Sequence, residues 1–205
     1  ENLPRVSVMM SDIAAIVLAA GLSLRMGASN KLLTPIGDDI LVSIVVSACA
    51  AVSDHPVTVV TGYQAEVVEL AFQNVPTNFA HNINYKEGQM TSVDVGLRRA
   101  PKAETYLIAL GDQPKITKDC LKELLEAHAA QRSQRITVPI VDGQRGNPIV
   151  VPAVLRSLML SDPINLGCQK LTRQSPELVH EYATPNKSFI IDIDTPQDLV
   201  LAELG

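Results

Sequence analysis

A chain of 205 residues that is 46% hydrophobic and 19% charged can bury a sizeable core, which excludes long disorder and favours one domain. Aromatic residues are 3% with no tryptophan, so the core must be aliphatic and a base-stacking nucleic-acid platform has little to be built from. Seventeen basic against 22 acidic residues give a net charge of −5 without basic clusters, a poor match to a phosphate backbone or an anionic membrane. Residues 1–10 read as a tag remnant or disordered extension ahead of a single domain over 11–205, with Met10 as a natural start.

Short aliphatic runs then alternate with amphipathic stretches. The run at 13–19 predicts a strand covered on both faces. A helix follows over 41–52, a strand over 57–61, a helix over 64–73 and a strand over 78–83. The spacing predicts a helix over 90–99 and another buried strand over 106–110. Thr117 starts a helix that places Leu121, Leu124, Leu125 and His128 on one face. Strands are expected at 136–141 and 149–151 around a turn at 143–148, and again at 189–193. Thr195, Pro196 and Asp198 supply an N-cap, a first-position proline and an acidic first turn. Alternating strands and helices imply an α/β three-layer sandwich of Rossmann-like type, mostly parallel, with ligands at the carboxyl ends of its strands.

Cys49, Cys120 and Cys168 are odd in number and far apart, and His55, His81, His128 and His180 are scattered, so neither a disulfide framework nor a structural zinc is expected. No membrane span or signal peptide is visible, and a cytoplasmic location is expected.

Chemistry is concentrated in three places. After the first strand come Ala19, Ala20, Gly21, Leu22, Ser23, Leu24, Arg25, Met26 and Gly27, then Lys31. Small residues let a backbone pass close to a ligand and wrap phosphate oxygens with N–H groups, and Arg25 and Lys31 add fixed positive charge. The spacing is neither G-x-G-x-x-G nor a P-loop, and these residues alone suit an ordinary glycine turn equally well. Asp112, in LGDQP, follows a buried strand directly, a position from which a carboxylate can hold Mg²⁺ on a triphosphate; aspartate beside Pro114 also suits a plain turn. Asp192 and Asp194, in IIDIDTPQDL, alternate onto one face, so either can assist the metal or cap the turn, while Asp198 belongs to the helix start.

The string LAAGLSLRMG followed by NKLL, with Gly111-Asp112-Gln113-Pro114, resembles the MobA-like nucleotidyltransferases, and within them the molybdenum cofactor cytidylyltransferase branch. The resemblance implies a fold of nucleotide-diphospho-sugar transferase type. It implies Mg²⁺-dependent transfer of CMP from CTP to a phosphorylated acceptor, molybdopterin, with release of pyrophosphate and a molybdoenzyme-maturation partner. It assigns catalysis to Arg25, Lys31 and Asp112. It assigns nucleotide binding to Leu18, Ala19, Ala20, Gly21, Ser23, Arg25, Lys31, Thr61, Asn84, Gly88, Ser92, Gly111 and Asp112. The metal falls to Asp112 with Asp194 or Asp192, and the acceptor to Arg145, Asn147 and Asn165. Departures from the family pattern are Thr91 for a serine, Asn147 for a histidine, Asn165 for an aspartate and Gln169 for an arginine. The resemblance also implies that Ala20, where the guanylyl branch has glycine, should narrow the base pocket towards a pyrimidine. The remaining alternatives are a guanylyl or sugar- or polyol-phosphate nucleotidyltransferase, a MobA-like oxidoreductase, and a non-catalytic nucleotide-binding module.

Overall fold

In chain order the elements are β1 (Ile13–Ala19), a short hairpin of β2 (Pro35–Ile36) and β3 (Asp39–Ile40), α1 (Leu41–Ala50), β4 (Val57–Thr61), α2 (Ala65–Leu70), β5 (Thr77–His81), α3 (Gln89–Arg99), β6 (Thr105–Leu110), α4 (Lys118–Ala130), β7 (Ile136–Val141), β8 (Gln144–Arg145), β9 (Ile149–Pro152), α5 (Ala153–Ser161) and β10 (Val179–Ala183). The computed structural model describes residues 12–22, 30–72, 75–131, 134–161, 174–195 and 197–198. The N-terminal extension expected at 1–10 lies outside the described residues.

All seven side chains of β1 are aliphatic and buried, as a strand covered on both faces requires. Its odd positions, Ile13, Ala15, Val17 and Ala19, pack with Val42, Val45 and Val46 of α1 and Leu121, Leu124 and Leu125 of α4. Its even positions, Ala14, Ile16 and Leu18, pack with Val93 and Leu97 of α3 and Leu155 and Met159 of α5. The result is three layers, with the sheet order β10-β7-β9-β6-β1-β4-β5 and β8 attached to β7. β1 pairs in parallel with both β4 and β6, and β10 in parallel with β7, whereas β9 runs antiparallel to β6 and β7. From β1 the chain moves out to β4 and β5, then returns to β6 on β1's other side. That reversal opens a crevice at the carboxyl ends of β1 and β6, where open α/β sheets bind ligands.

Three expectations are corrected. The strand expected over 189–193 is a 3₁₀ turn (Lys187–Ile190) followed by an extended, unpaired segment; its apolar pattern arises because Phe189 and Ile193 tuck into two different buried clusters. The missing edge strand lies earlier, in β10, whose half-exposed residues gave no run of apolar positions. The turn expected at 143–148 is tighter: Asp142 and Gly143 both take positive φ, 50° and 80°, the two-residue type I′ geometry that joins β7 to β8.

His128, on the buried face of α4, places Nδ1 2.8 Å from Thr137 Oγ1. Burial, reinforced by neighbouring His180, pushes its pKa down to about 4. The unfolded histidine, near 6.5, takes up its proton first. Stability from the neutral ring is therefore complete above pH 6.5 and is lost as pH falls towards 4, by on the order of 2–3 kcal/mol. Melting temperatures from pH 7 to 4.5 are expected to fall more steeply for the wild type than for His128→Gln.

Candidate active site

Lys31 opens a 3₁₀ turn (Lys31–Leu33) capped by Asn30, whose Oδ1 accepts the Leu32 N–H at 3.1 Å. The Lys31 ammonium donates to Asp112 Oδ2 at 2.7 Å, Asp194 Oδ1 at 2.8 Å and the Ile193 carbonyl at 2.8 Å. Asp112 sits just beyond β6, and Gly111 fixes that strand end by donating its N–H to the Leu18 carbonyl at 3.0 Å. The Ile193 N–H donates to the Asp112 carbonyl at 2.9 Å, so the C-terminal segment is pinned across the end of β6. One carboxylate oxygen from each of Asp112, Asp192 and Asp194 lies within 4.8 Å of the other two. The second oxygen of Asp112, Oδ1, is buried and accepts no hydrogen bond from the described residues.

Burial by itself would depress the Lys31 ammonium, yet the charges and hydrogen bonds of Asp112 and Asp194 hold it above its ordinary value. Asp192 is raised, first by burial and then by repulsion from Asp112 and Asp194. Asp198 stands apart from this group. It accepts the N–H groups of Asp194 and Thr195 and the Thr195 hydroxyl, which makes it the cap of the C-terminal turn.

Lys31, Asp112 and Asp194 form one end of a cleft of about 400 Å³. Its floor comes from Leu18, Ala20, Gly21 and Leu22 after β1, with Leu32 and Leu110; its far wall comes from Tyr85, Lys86, Gly88, Gln89 and Ser92 at the entry to α3. Gly88, the N-cap of α3 with φ of +114°, and Gln89, its first residue, both line the cleft, so the positive end of the helix macrodipole faces it. Buried Asn82 ties this wall down, donating to Thr91 Oγ1 at 2.8 Å and Ser92 Oγ at 2.9 Å. Gly62 lets the walls meet. A Cβ there would lie 2.7 Å from Tyr85 Cβ and 2.8 Å from Ala20 Cβ. Lys86 Nζ stands 5.9 Å from the centre of the Tyr85 ring, within cation–π range.

Of the residues singled out by sequence, Leu18, Ala20, Gly21, Lys31, Gly88, Ser92, Asp112 and Asp194 line this cleft, and Asp192 joins through the carboxylate cluster. Ala19 and Gly111 are buried behind it as packing and backbone support. Thr61 is turned away: it is fully buried and its hydroxyl donates to Glu69 Oε1 of α2 at 2.8 Å. Asn84 is exposed beside the cleft, its N–H donated to Asn82 Oδ1 and its carbonyl accepting from Thr91. Arg145, at the end of β8, and Asn147, on the β8–β9 connection, are half-buried and do not line the cleft. The Asn147 N–H donates to the Phe189 carbonyl at 2.8 Å, and a Cβ on Gly146 would meet that same oxygen at 2.5 Å, so only glycine allows this close approach. Ser23, Arg25, Asn165 and Gln169 lie outside the described residues. Tyr85 and Lys86 were missed, although one of only four tyrosines, inside the stretch between Asn84 and Gly88, was a signal to follow. Among the described residues no helix is long and apolar enough to cross a membrane.

The sequence matches the MobA-like NTP transferase domain over residues 15–179. It is 29% identical over 199 residues to the molybdenum cofactor cytidylyltransferase of Escherichia coli (strain K12), covering 95% of this chain and 97% of that protein. It is 27% identical over 192 residues to nicotine blue oxidoreductase of Paenarthrobacter nicotinovorans, covering 91% of this chain and 94% of that one. Among solved structures, Rv0371c from Mycobacterium tuberculosis H37Rv is similar with a TM-score of 0.80 at 25% identity, over 96% of this chain and 100% of its own. Motifs, sheet order and a family match across most of the sequence agree: the chain belongs to the MobA-like NTP transferase family.

Proposed function

We propose that this nucleotidyltransferase transfers CMP from CTP to a phosphorylated acceptor, molybdopterin in the first instance, and releases pyrophosphate in the cytoplasm, upstream of a molybdoenzyme-maturation partner. The observation that carries the proposal is the unpartnered, buried Asp112 Oδ1 amid three clustered carboxylates at one end of the cleft. Such an all-oxygen donor set suits a hard divalent cation. Asp112, Asp194 and Asp192 would hold Mg²⁺, which when bound supplies charge neutralisation to the triphosphate and the departing pyrophosphate.

The protein's own residues do the rest. Ala20, Tyr85, Gly88 and Ser92 wall the part of the cleft suited to base and ribose, and Ala20 against Tyr85 keeps it narrow. Gly21 opens the backbone to the phosphates, and Lys31, joined in this proposal by Arg25, offsets their charge. Thr61, Asn84 and Gly111 act by shaping the walls. Arg145, Asn147 and Asn165 are assigned to the acceptor side on the family resemblance. The acceptor's phosphate oxygen attacks the α-phosphorus and pyrophosphate leaves, so no covalent enzyme intermediate is needed. Catalysis is positioning and charge stabilisation.

Melting temperatures with CTP, GTP, UTP and ATP, each with and without Mg²⁺, test the reading. A nucleotide at about 100 times its dissociation constant adds roughly 2.7 kcal/mol, a rise on the order of 5–10 °C for a domain near this size. CTP with Mg²⁺ is expected to give the largest rise. An equal or larger rise with GTP would move the assignment to guanylyl transfer, and no rise with any of the four would contradict it. The likeness to nicotine blue oxidoreductase favours a second reading, an oxidoreductase on the same fold. The absence of a G-x-G-x-x-G fingerprint from the sequence weighs against it, and stabilisation by reduced nicotinamide dinucleotide alone would favour it.

A further inference from the structure

Between the end of β10 and the carboxylates of Asp192 and Asp194 the chain crosses from the sheet edge to the cleft without a paired strand. Its course is set from outside. Glu123, on α4, accepts three hydrogen bonds from the end of β10 and the segment that follows it: Tyr182 OH at 3.0 Å and Thr184 Oγ1 at 2.7 Å on Oε1, and Asn186 Nδ2 at 3.0 Å on Oε2. Positions 182, 184 and 186 alternate on extended backbone, which is why all three reach the same carboxylate. Burial alone would raise the Glu123 carboxyl, but its bonds from Asn186, Thr184 and Tyr182 hold it below the usual range, so it is ionised at neutral pH.

The hold is passed on through atoms already bonded. Asn186 Oδ1 accepts the Ser188 N–H at 3.1 Å and so fixes the start of the 3₁₀ turn. That turn buries Phe189, whose carbonyl accepts the Asn147 N–H at 2.8 Å and Gln113 Nε2 at 3.3 Å. Gln113 neighbours Asp112, and Ile193 closes the path by donating to the Asp112 carbonyl. We infer that Glu123 is a positioning residue for divalent-cation binding: it clamps the stretch from Tyr182 to Asn186 so that Asp192 and Asp194 are delivered to Asp112. This rests on the reading of those three aspartates as cation ligands.

The test uses Mn²⁺ alone, without nucleotide, with bound and free ion followed by electron paramagnetic resonance on the full chain. Glu123→Ala is expected to bind Mn²⁺ at least about tenfold more weakly, as is usual when a group that orients metal ligands is removed. Asn186→Ala, which loses both the Glu123 contact and the Ser188 cap, is expected to show the same loss. Tyr182→Phe, which leaves two of the three donors, is expected to stay close to wild type. Amide exchange at Ser188 and Ile193 should quicken in the first two variants while β1 and β6 stay protected. A purely structural role would lower the melting temperature and leave Mn²⁺ affinity in place. Unchanged affinity in Glu123→Ala, or in Asn186→Ala should the former fail to fold, overturns the inference while the cation site stands. No Mn²⁺ binding by the wild type overturns the cation reading, and the inference with it.

Discussion

Asp112→Ala is expected to abolish metal-dependent pyrophosphate release while leaving the fold in place. The fold survives because Lys31 keeps Asp194 and the Ile193 carbonyl as partners, and the backbone bonds that tie Gly111 and Asp112 to β1 and the C-terminal segment are untouched. Turnover does not survive, because the substitution removes the carboxylate whose Oδ1 has no partner among the described residues. Charge stabilisation by a bound metal amounts to several kcal/mol, so a loss on the order of 10³-fold or more is expected. Asp112→Asn should lose nearly as much, since the amide keeps the shape without the charge. Circular dichroism and a pyrophosphate-release assay on the same preparations check both halves, and activity within tenfold of wild type would remove Asp112 from the chemistry.

Lys31→Met is expected to lower stability as well as activity. The substitution keeps most of the stem's bulk but deletes the cation between Asp112 and Asp194, leaving clustered carboxylates facing one another within 4.8 Å. Removing one side of a buried pair costs about 3–5 kcal/mol. The Lys31 and Asp112 side chains are 12% and 18% exposed but Asp194 is 40% exposed, which points to the lower end. A fall of about 3 kcal/mol corresponds to roughly 6–12 °C for a domain of this size. Millimolar Mg²⁺ should restore part of that loss and should stabilise the variant more than the wild type, because a divalent cation answers the same clustered negative charge. Thermal scans of both proteins with and without Mg²⁺ measure this. Equal melting temperatures in metal-free buffer would show that the ammonium contributes little there.

Much of this could be read from the chain because the relevant signals are local. β1, β4 and β6 announce themselves by short runs of aliphatic and β-branched residues, buried throughout in β1 and β4 and up to Leu110 in β6, and α4 by an apolar face at helical spacing. Alternation correctly put Asp192 and Asp194 on one side, although the backbone carrying them is not the expected strand. What escaped is what distance hides. Lys31 meets Asp112 across 81 positions and Asp194 across 163, and Glu123 meets Asn186 across 63. No pattern in a single sequence joins such pairs. Thr61 was assigned to the nucleotide on the family resemblance, yet Val57 and Val59 of the same strand pack towards α1 and α2, so alternation already carried its side chain to that face. The departures at Asn165 and Gln169 concern the acceptor, and both lie outside the described residues.

The central claim is nucleotidyl transfer, and pyrophosphate release measures it most directly. The purified full chain is incubated with Mg²⁺ and CTP or GTP, with molybdopterin, a sugar phosphate or no acceptor. Pyrophosphate formed with CTP, dependent on both Mg²⁺ and molybdopterin and lost in Asp112→Ala, is the result expected. Nucleotide binding with no pyrophosphate from any nucleotide and acceptor pair would contradict the account and leave a binding module on a transferase fold.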